Sequence, residues 1–375
     1  MPGCRDFQYV PAVKTTLVNT LKFLFFLAIG GGILYVVYQN QNDAYRAQCA
    51  LDGVPEASCS LLLKVLEDFA QADWLWILMV LMAFVVSNFS RAIRWNMLLR
   101  PLGYTPTFRN AFWTIMLGYF ANLGLPRMGE VVRAGAMARY ERIPVEKVMG
   151  TVVVDRIADA ISLLLLIGLA FLIEFDRLWS ALSANMALGQ SIGDKWWLLV
   201  LAIGLLGSVA TLSFIYRERL LKFPLARKVL DLLKGFAEGL KTVRSLDKPW
   251  LFVFHSAVIW FMYFLMTYLC FFAFAPTAHL TASAGLLVFI FGAFGIVIPS
   301  PGGMGTYHFL VMEALAIYDI SRIEAFSFAN ICFFSIQIFC NILLGLVALI
   351  ALPQLNRKYH PSAPRVTPAQ EPTTP

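Results

Sequence analysis

Charged residues are scarce in this sequence: Asp, Glu, Lys and Arg together make up 14% of its 375 residues. A soluble domain of this size carries about a quarter charged residues, whereas 59% of this chain is hydrophobic and its mean hydropathy is +0.69. This composition excludes a soluble globular protein and indicates a chain that crosses a membrane several times. The net charge of +7 is then explained by basic cytoplasmic loops, so nucleic acid is not an expected partner.

Histidine is also rare, and the familiar catalytic motifs are missing. The four histidines are scattered along the chain, at His255, His279, His308 and His360. The sequence contains no HExxH zinc motif and no phosphate-binding P-loop, and its six cysteines have no metal-ligand spacing. We therefore expect no metal, no cofactor and no enzymatic activity. Cys49 and Cys59 share one loop, and whether they form a disulfide depends on the compartment that this loop faces.

Long apolar runs are abundant, and they predict six full transmembrane helices. These lie at residues 21–38, 74–98, 151–173, 196–216, 250–275 and 326–352. Two further apolar segments, 110–140 and 282–318, are interrupted by Pro and Gly. Each uninterrupted run within them is too short to cross a bilayer, because a spanning helix needs about 20 apolar residues.

The charges of the loops predict how the chain is oriented. The 217–248 loop carries nine Lys and Arg residues, whereas the 39–73 loop carries six acidic residues and two basic ones. The positive-inside rule places the 217–248 loop in the cytoplasm, together with both termini. This arrangement requires the 110–140 segment to enter from the cytoplasm and return to it, and the 282–318 segment to enter from the opposite side.

The predicted fold is an all-α polytopic membrane protein with about six full transmembrane helices and two opposed re-entrant broken-helix segments. Each break ends in Met-Gly, in Pro-Arg-Met-Gly (126–129) and in Pro-Gly-Gly-Met-Gly (301–305). Two similar broken helices that enter from opposite faces form an inverted repeat, and in transporters such helices meet at a binding site near the midplane.

The predicted organisation is one membrane domain at 21–355, between a cytoplasmic N-terminus at 1–20 and a Pro/Thr-rich disordered tail at 356–375. Residues 225–246 follow helical amphipathic spacing and are interpreted as a helix on the cytoplasmic leaflet. A solvent-facing connector that packs on the bundle is the alternative.

Ionisable residues cluster after the first break, and at membrane depth such residues indicate a functional site. Arg127, Glu130 and Arg133 share one helix face, and Asn122 lies just before the break. The alternatives are substrate binding and an ion-paired cluster that holds the break closed. A broken helix usually lines a cavity, which favours substrate binding.

Two carboxylates in the next span, Asp155 and Asp159, lie four residues apart and face the same way. They would repel each other unless a cation lies between them, and we predict that Arg127 or Arg133 is this cation. A surplus guanidinium would then bind an anion, and its planar fork suits phosphate. Arg91 and Arg94 either snorkel to the headgroups or contact substrate. The predicted substrate-binding residues are Arg91, Arg94, Asn122, Arg127, Glu130, Arg133, Asp155, Arg156 and Asp159.

The second break supplies the other predicted cavity residues: Pro299, Pro301, Gly302, Gly303, Gly305, His308 and Glu313. His308 and Glu313 are candidates for coupling transport to protons, although a packing role is favoured for His308. Three amides of the last span, Asn330, Gln337 and Asn341, are interpreted as interhelical hydrogen-bonding groups, with pore lining as the alternative.

Four motifs occur in a fixed order: Arg91-Ala-Ile-Arg-Trp95, Pro126-Arg-Met-Gly-Glu130, Asp155-Arg156…Asp159 and Pro301-Gly-Gly-Met-Gly305. Together they resemble the lysylphosphatidylglycerol synthase transmembrane-region family, also described as the flippase-like domain. In multiple peptide resistance factor proteins this domain is fused to an aminoacyl-lipid synthase and moves the charged lipid to the outer leaflet. No synthase domain follows here, so we expect a stand-alone member without aminoacyl transfer.

The resemblance implies a flippase in the cytoplasmic membrane of a bacterium or archaeon. Its expected substrate is an anionic lipid, such as a phospholipid, an aminoacyl lipid or a polyprenyl-phosphate-linked glycolipid, and enzymes of envelope lipid or glycan synthesis are candidate partners. The residues leave open which lipid is carried, and they do not indicate an oligomeric state. A secondary transporter of a small anionic solute and a scaffold for an envelope glycosyltransferase are the alternatives.

Overall fold

The computed structural model is helical throughout the part of the chain that it describes. That part comprises residues 28, 32, 34–36, 38–43, 45–47, 49–50, 59–124, 128–185, 243–244, 246–298 and 303–359. The helices are α1 (Leu61–Gln71), α2 (Trp74–Leu99), α3 (Phe108–Gly124), α4 (Met128–Glu141), α5 (Val145–Ile173), α6 (Phe175–Asn185), α7 (Pro249–Ala273), α8 (Ala282–Val297), α9 (Thr306–Ala316), α10 (Arg322–Phe333) and α11 (Asn341–Asn356). A π-helical segment, Phe334–Cys340, joins α10 to α11 without a break.

Four of these helical stretches are long and apolar enough to cross a membrane: Trp74–Leu102, Val145–Ile173, Pro249–Ala273 and Arg322–Asn356. They confirm the predicted spans at 74–98, 151–173, 250–275 and 326–352. Most of the predicted 21–38 span and the whole of the 196–216 span lie outside the described residues. So do the N-terminal segment 1–20, nearly all of the 225–246 helix and the tail beyond Tyr359.

Helices α2 and α7 form the longest contact between two spans. Trp76 packs on Phe272 at one end, with ring centroids 4.8 Å apart, and Arg94 lies over the ring of Phe252 at the other. The helices are therefore antiparallel, and the C-terminal end of α2 lies beside the N-terminal end of α7. The arginines of α2 are at this end.

The predicted first re-entrant segment is a pair of closely packed helices, α3 and α4. A Cβ atom added to Gly129 would lie 2.1 Å from the carbonyl oxygen of Gly118, so the approach of the two helices requires glycine. The backbone N–H of Gly129 donates to Oδ1 of Asn122 at 2.7 Å, which satisfies a donor in the first turn of α4. Residues 125–127, between these helices, lie outside the described part.

The predicted second segment is a similar pair, α8 and α9. Gly303 and Gly305 have φ angles of +84° and +83°, a left-handed conformation that glycine adopts without steric cost. The Oγ1 of Thr306 donates to the carbonyl oxygen of Gly295 at 2.6 Å. A Cβ atom on Gly295 would lie 2.5 Å from Cα of Tyr307, so this pair also depends on a close glycine contact.

The long helix Arg322–Asn356 shows that the first pair approaches from one end of the bundle. Asn110, in the first turn of α3, exchanges hydrogen bonds of 2.9 and 2.7 Å with Asn356. Phe120, near the end of α3, packs closely on Gly345: a Cβ atom added to Gly345 would lie 2.4 Å from the Cβ atom of Phe120. The α3–α4 pair therefore runs inward from the Asn356 end and stops near the level of Gly345.

The second pair approaches the same helix from its other end. Glu313, near the end of α9, is ion-paired with Arg322, and the hydroxyl of Tyr307 donates to Sγ of Cys332 at 3.1 Å. The two pairs thus enter from opposite ends and stop about 20 Å apart along the helix, at 1.5 Å per residue. This opposed arrangement confirms the predicted fold class. The π-helical segment, a feature often found at functional sites, lies between the two tips.

Two smaller features also bear on the predictions. Cys49 and Cys59 form a disulfide, with their Cα atoms 6.3 Å apart, which answers the question that the sequence left open. The last helix continues to Asn356, and the hydroxyl of Tyr359 donates to Glu141 at 2.9 Å. The described part of the chain ends at Tyr359, which contacts the first re-entrant pair.

Candidate functional site

The centre of the candidate site is a set of ion pairs between α2 and α5. Arg91 contacts Asp155 and Asp159 through Nη1, at 3.2 and 2.8 Å. Arg94 contacts the same two carboxylates through Nη2, at 2.5 and 2.7 Å. Each arginine therefore bridges both carboxylates, and the predicted arginine–aspartate network is confirmed.

Of the two cations predicted to lie between the carboxylates, Arg133 belongs to the network but does not bridge them. Arg133, on α4, contacts only Asp155, at 3.0 Å, and its guanidinium lies 4.9 Å from the ring centroid of Trp95. Arg127 lies outside the described residues. The bridging positions belong to Arg91 and Arg94, because these residues lie on a span that packs directly against α5.

Burial excludes snorkelling for the two arginines of α2. The exposed fraction is 1% for Arg91, and it is 0% for Arg94 and for Asp155. Buried charges of this kind are stable only when each has an opposite charge and hydrogen bonds. The cluster is therefore an internal feature of the bundle, enclosed by protein.

One edge of the cluster is accessible. The side chains of Arg156 and Glu130 are 39% and 38% exposed, and Nε of Arg156 lies 2.9 Å from Oε1 of Glu130. Arg156 also contacts Asp159, at 3.4 Å. Because Glu130 belongs to α4 and Arg156 to α5, this edge connects the first re-entrant pair to the buried charges.

Cations exceed anions in the cluster. Arg91, Arg94, Arg133 and Arg156 face Asp155, Asp159 and Glu130, which leaves one positive charge. Among the described residues, Nε of each of the four arginines has no hydrogen-bond acceptor. Four guanidinium N–H donors without acceptors are suited to an anion with several oxygens, such as phosphate.

The structure adds polar residues that sequence reasoning missed. Arg91 donates through Nη2 to the hydroxyl of Tyr263 at 3.1 Å, and this hydroxyl lies 3.1 Å from that of Tyr119. Arg94 donates through Nη1 to Ser256 at 3.1 Å. Ser256 and Tyr263 are seven residues apart, two helical turns, and therefore share one face of α7. The spacing of these two polar residues within an apolar span is the sequence pattern from which their role could have been predicted.

His308 and Glu313, two described residues predicted at the second break, have partners outside the cluster. Pro299, Pro301 and Gly302 are outside the described part of the chain. His308 is buried against Phe333, with ring centroids 4.8 Å apart, which is the packing arrangement that the sequence favoured. Glu313 pairs with Arg322 on α10, so neither residue has a described partner on α2 or α5.

Asn330 and Asn341 of the last span donate to their own helix, and Asn330 also interacts with His308 of α9, as the predicted interhelical role requires. Asn330 donates to the carbonyl oxygen of Phe326 at 2.8 Å, and Asn341 to that of Gln337 at 2.9 Å. Within the described ranges, no group of three or more His, Cys, Asp and Glu residues is arranged to hold a metal ion. The described site therefore consists of charged and hydrogen-bonding side chains.

Comparisons with known proteins agree with this architecture. The sequence profile of the lysylphosphatidylglycerol synthase TM region matches residues 59–358, a range that includes every residue of the cluster. A UPF0104 membrane protein of Methanocaldococcus jannaschii is 25% identical over 153 residues, which are 40% of this chain and 38% of that protein. The match thus spans well under half of that relative's length. No solved structure matches the chain. The family suggested by the four motifs is confirmed.

Proposed function

The chain belongs to the lysylphosphatidylglycerol synthase transmembrane-region family, and from this we propose that it is a translocase that moves a phosphate-bearing lipid headgroup between membrane leaflets. The observation that carries the proposal is the buried arginine–aspartate cluster beside the first broken helix. It combines a positive charge excess with guanidinium donors that lack acceptors.

The physical barrier to lipid translocation supports this assignment. A phosphate group cannot cross hydrocarbon without donors to replace its water, because transferring an unpaired charge into an apolar medium costs tens of kcal/mol. The cluster supplies such donors inside the bundle, while the acyl chains remain in lipid. Arg91, Arg94 and Arg133 carry the donors, and Asp155 and Asp159 keep those guanidinium groups in place.

The proposed path leads from the accessible edge at Glu130 and Arg156 toward the space between the two re-entrant tips. The π-helical segment Phe334–Cys340 lies at this level of the bundle, and Gln337 is half-buried within it. The second pair, α8 and α9, then forms the exit on the opposite side. This path follows from the opposed entry of the two helical pairs.

The test is reconstitution of the purified chain into liposomes with a panel of headgroup-labelled lipids. The panel contains phosphatidylglycerol, lysylphosphatidylglycerol, a polyprenyl phosphate and a neutral diacylglycerol as control. We expect transfer of a phosphate-bearing lipid and none of the diacylglycerol. Uptake of radiolabelled inorganic phosphate without transfer of any lipid would instead identify a transporter of small anions.

A further inference from the structure

The three carboxylates of the cluster differ in how easily an incoming anion could replace them. The side chain of Asp155 is fully buried and contacts three arginines, and that of Asp159 is 11% exposed and also contacts three. Displacing either would leave buried guanidinium groups unpaired, which is strongly unfavourable. Among the described residues Glu130 has one arginine partner, and its side chain is 38% exposed, so it is the carboxylate that an anion replaces most easily.

The contact between Glu130 and Arg156 is also poorly aligned. Nε of Arg156 is 2.9 Å from Oε1 of Glu130, yet this nitrogen makes no hydrogen bond within the described residues. The N–H therefore does not point at the carboxylate. The pair is partly exposed and Glu130 has a single arginine contact among the described residues, so opening it should cost less than separating either aspartate from its three arginines.

Separation of the Glu130 carboxylate from Arg156 would also affect the start of α4, because of where Glu130 lies. It lies in the first turn of α4, one residue after Gly129, which holds α4 against Asn122 on α3. An acidic side chain in this turn stabilises the helix N-terminus, and a phosphate at the same place does so too. A phosphate that binds Arg156 would repel the Glu130 carboxylate. It would then replace this carboxylate both at the Arg156 guanidinium and at the N-terminus of α4.

From these observations we infer that Glu130 is an internal competitor for the substrate phosphate: its carboxylate occupies Arg156 in the empty protein, and an anionic headgroup displaces it. Arg156 is then the first group that contacts the phosphate, and the buried arginines are reached only after the pair opens. The inference rests on the proposed function, because it names the group at which the translocated headgroup enters.

The test is lipid binding by the purified full-length chain in nanodiscs, titrated with fluorescent phosphatidylglycerol and polyprenyl phosphate. Removing the competitor in Glu130→Gln should lower the Kd about two- to fivefold, the range expected for loss of an exposed ion pair. Arg156→Gln should raise the Kd, and adding Glu130→Gln to it should have no further effect, because competition requires both groups. Glu146→Gln removes a carboxylate that is exposed in the first turn of α5 and should leave the Kd unchanged.

Several outcomes would overturn the inference. They are equal or weaker binding by a folded Glu130→Gln protein, tighter binding by Glu146→Gln to the same extent, or an undiminished Glu130→Gln effect in the Arg156→Gln background. Competition of inorganic phosphate with either lipid would support recognition of the phosphate group. Failure of both fluorescent lipids to bind would contradict the inference. A protein that transfers lipid normally but fails these binding tests would refute the competitor and leave the proposed function standing. A protein that passes the binding tests but moves no lipid would support the competitor role of Glu130 and refute the proposed translocase function.

Discussion

Arg91 donates a hydrogen bond from Nη1 to Oδ2 of Asp159 at 2.8 Å, although 68 residues separate the two in the chain. This bond joins α2 to α5 at a point where both side chains are buried. The α2 span, the α5 span and, through Arg133, the first re-entrant pair therefore share one charge network. A change at any of these charges should affect both the stability of the bundle and the anion binding proposed for it.

Asp155→Asn should be strongly destabilising, because this carboxylate is the shared partner of Arg91, Arg94 and Arg133. Breaking a buried pair by removing one partner costs about 3–5 kcal/mol. Thermal unfolding in detergent, followed by tryptophan fluorescence, measures the effect. Asp176→Asn, at an exposed position in α6, is the control that should unfold like the wild type. Equal stability of the two variants would contradict the structural role of the cluster.

Gly129→Ala should separate the arms of the first re-entrant pair. The added methyl group would lie 2.1 Å from the carbonyl oxygen of Gly118 and 2.7 Å from the amide of Asn122, and overpacking of this kind typically costs 1–3 kcal/mol. Gly135, on the same helix, has open space around it, so Gly135→Ala should be neutral or stabilising by up to about 1 kcal/mol. The yield of monodisperse protein and the unfolding temperature distinguish the variants. Indistinguishable behaviour would refute the close packing of α3 on α4.

Sequence patterns predicted the features that depend on one helix at a time. Hydropathy located four described spans, and four-residue spacing placed Asp155 and Asp159 on one face. The spacing did not indicate which arginines meet them, because that depends on which helices pack together. For Arg91 and Arg94 the sequence left headgroup contact and substrate contact open, and their burial follows from the packing of α2 against α5 and α7. The π-helical segment has no periodic signal, so hydropathy reported only a continuous span there.

Tyr359→Phe should weaken the attachment of the C-terminal end to the first re-entrant pair. The carboxylate of Glu141 accepts hydrogen bonds from Asn110 at 2.7 Å and from the Tyr359 hydroxyl at 2.9 Å, and hydrogen bonds to charged groups contribute about 1.5–3 kcal/mol. Faster proteolysis after the last helix, followed by mass spectrometry, should reveal the loss. The control is Tyr104→Phe, because the Tyr104 hydroxyl accepts a long hydrogen bond of 3.4 Å from Lys147; this variant should be cleaved like the wild type. Cleavage of Tyr359→Phe at the wild-type rate would contradict the role of the Tyr359–Glu141 hydrogen bond.

The same contact should depend on pH in one direction. Burial and the Glu141 carboxylate raise the pKa of Tyr359 to about 12, from an ordinary value of 10.0. The protonated, donating form is therefore favoured in the folded protein. Its stabilising effect is complete below pH 10 and is lost as the pH rises through about 12. Protection of the C-terminal end from proteolysis by an alkali-tolerant protease should follow this profile in the wild type and be absent from Tyr359→Phe. Loss of protection at neutral pH would contradict it.

Cysteine labelling should place the two ends of the bundle on opposite sides of the membrane. Glu146, at the start of α5, and His279, between α7 and α8, are both exposed. In spheroplasts, His279→Cys should react with a membrane-impermeant maleimide, whereas Glu146→Cys should react only after permeabilisation, with the wild-type chain as the background control. Labelling of both positions from one side would contradict the predicted orientation.

Lipid transfer by reconstituted protein tests the central claim most directly. Labelled phosphatidylglycerol or polyprenyl phosphate is placed in both leaflets, and a reductant confined to the outside bleaches only the label that reaches the outer leaflet. Arg177→Gln, which removes an arginine whose side chain is 57% exposed and pairs with Glu174 outside the cluster, is the matched control for Arg156→Gln. We predict that, with the wild type or Arg177→Gln, the label of one of these lipids is bleached beyond the level seen in protein-free liposomes. With folded Arg156→Gln this bleaching should be at least tenfold slower, which corresponds to about 1.4 kcal/mol in barrier height. Bleaching by wild-type protein equal to that of protein-free liposomes, for both lipids, would contradict the account.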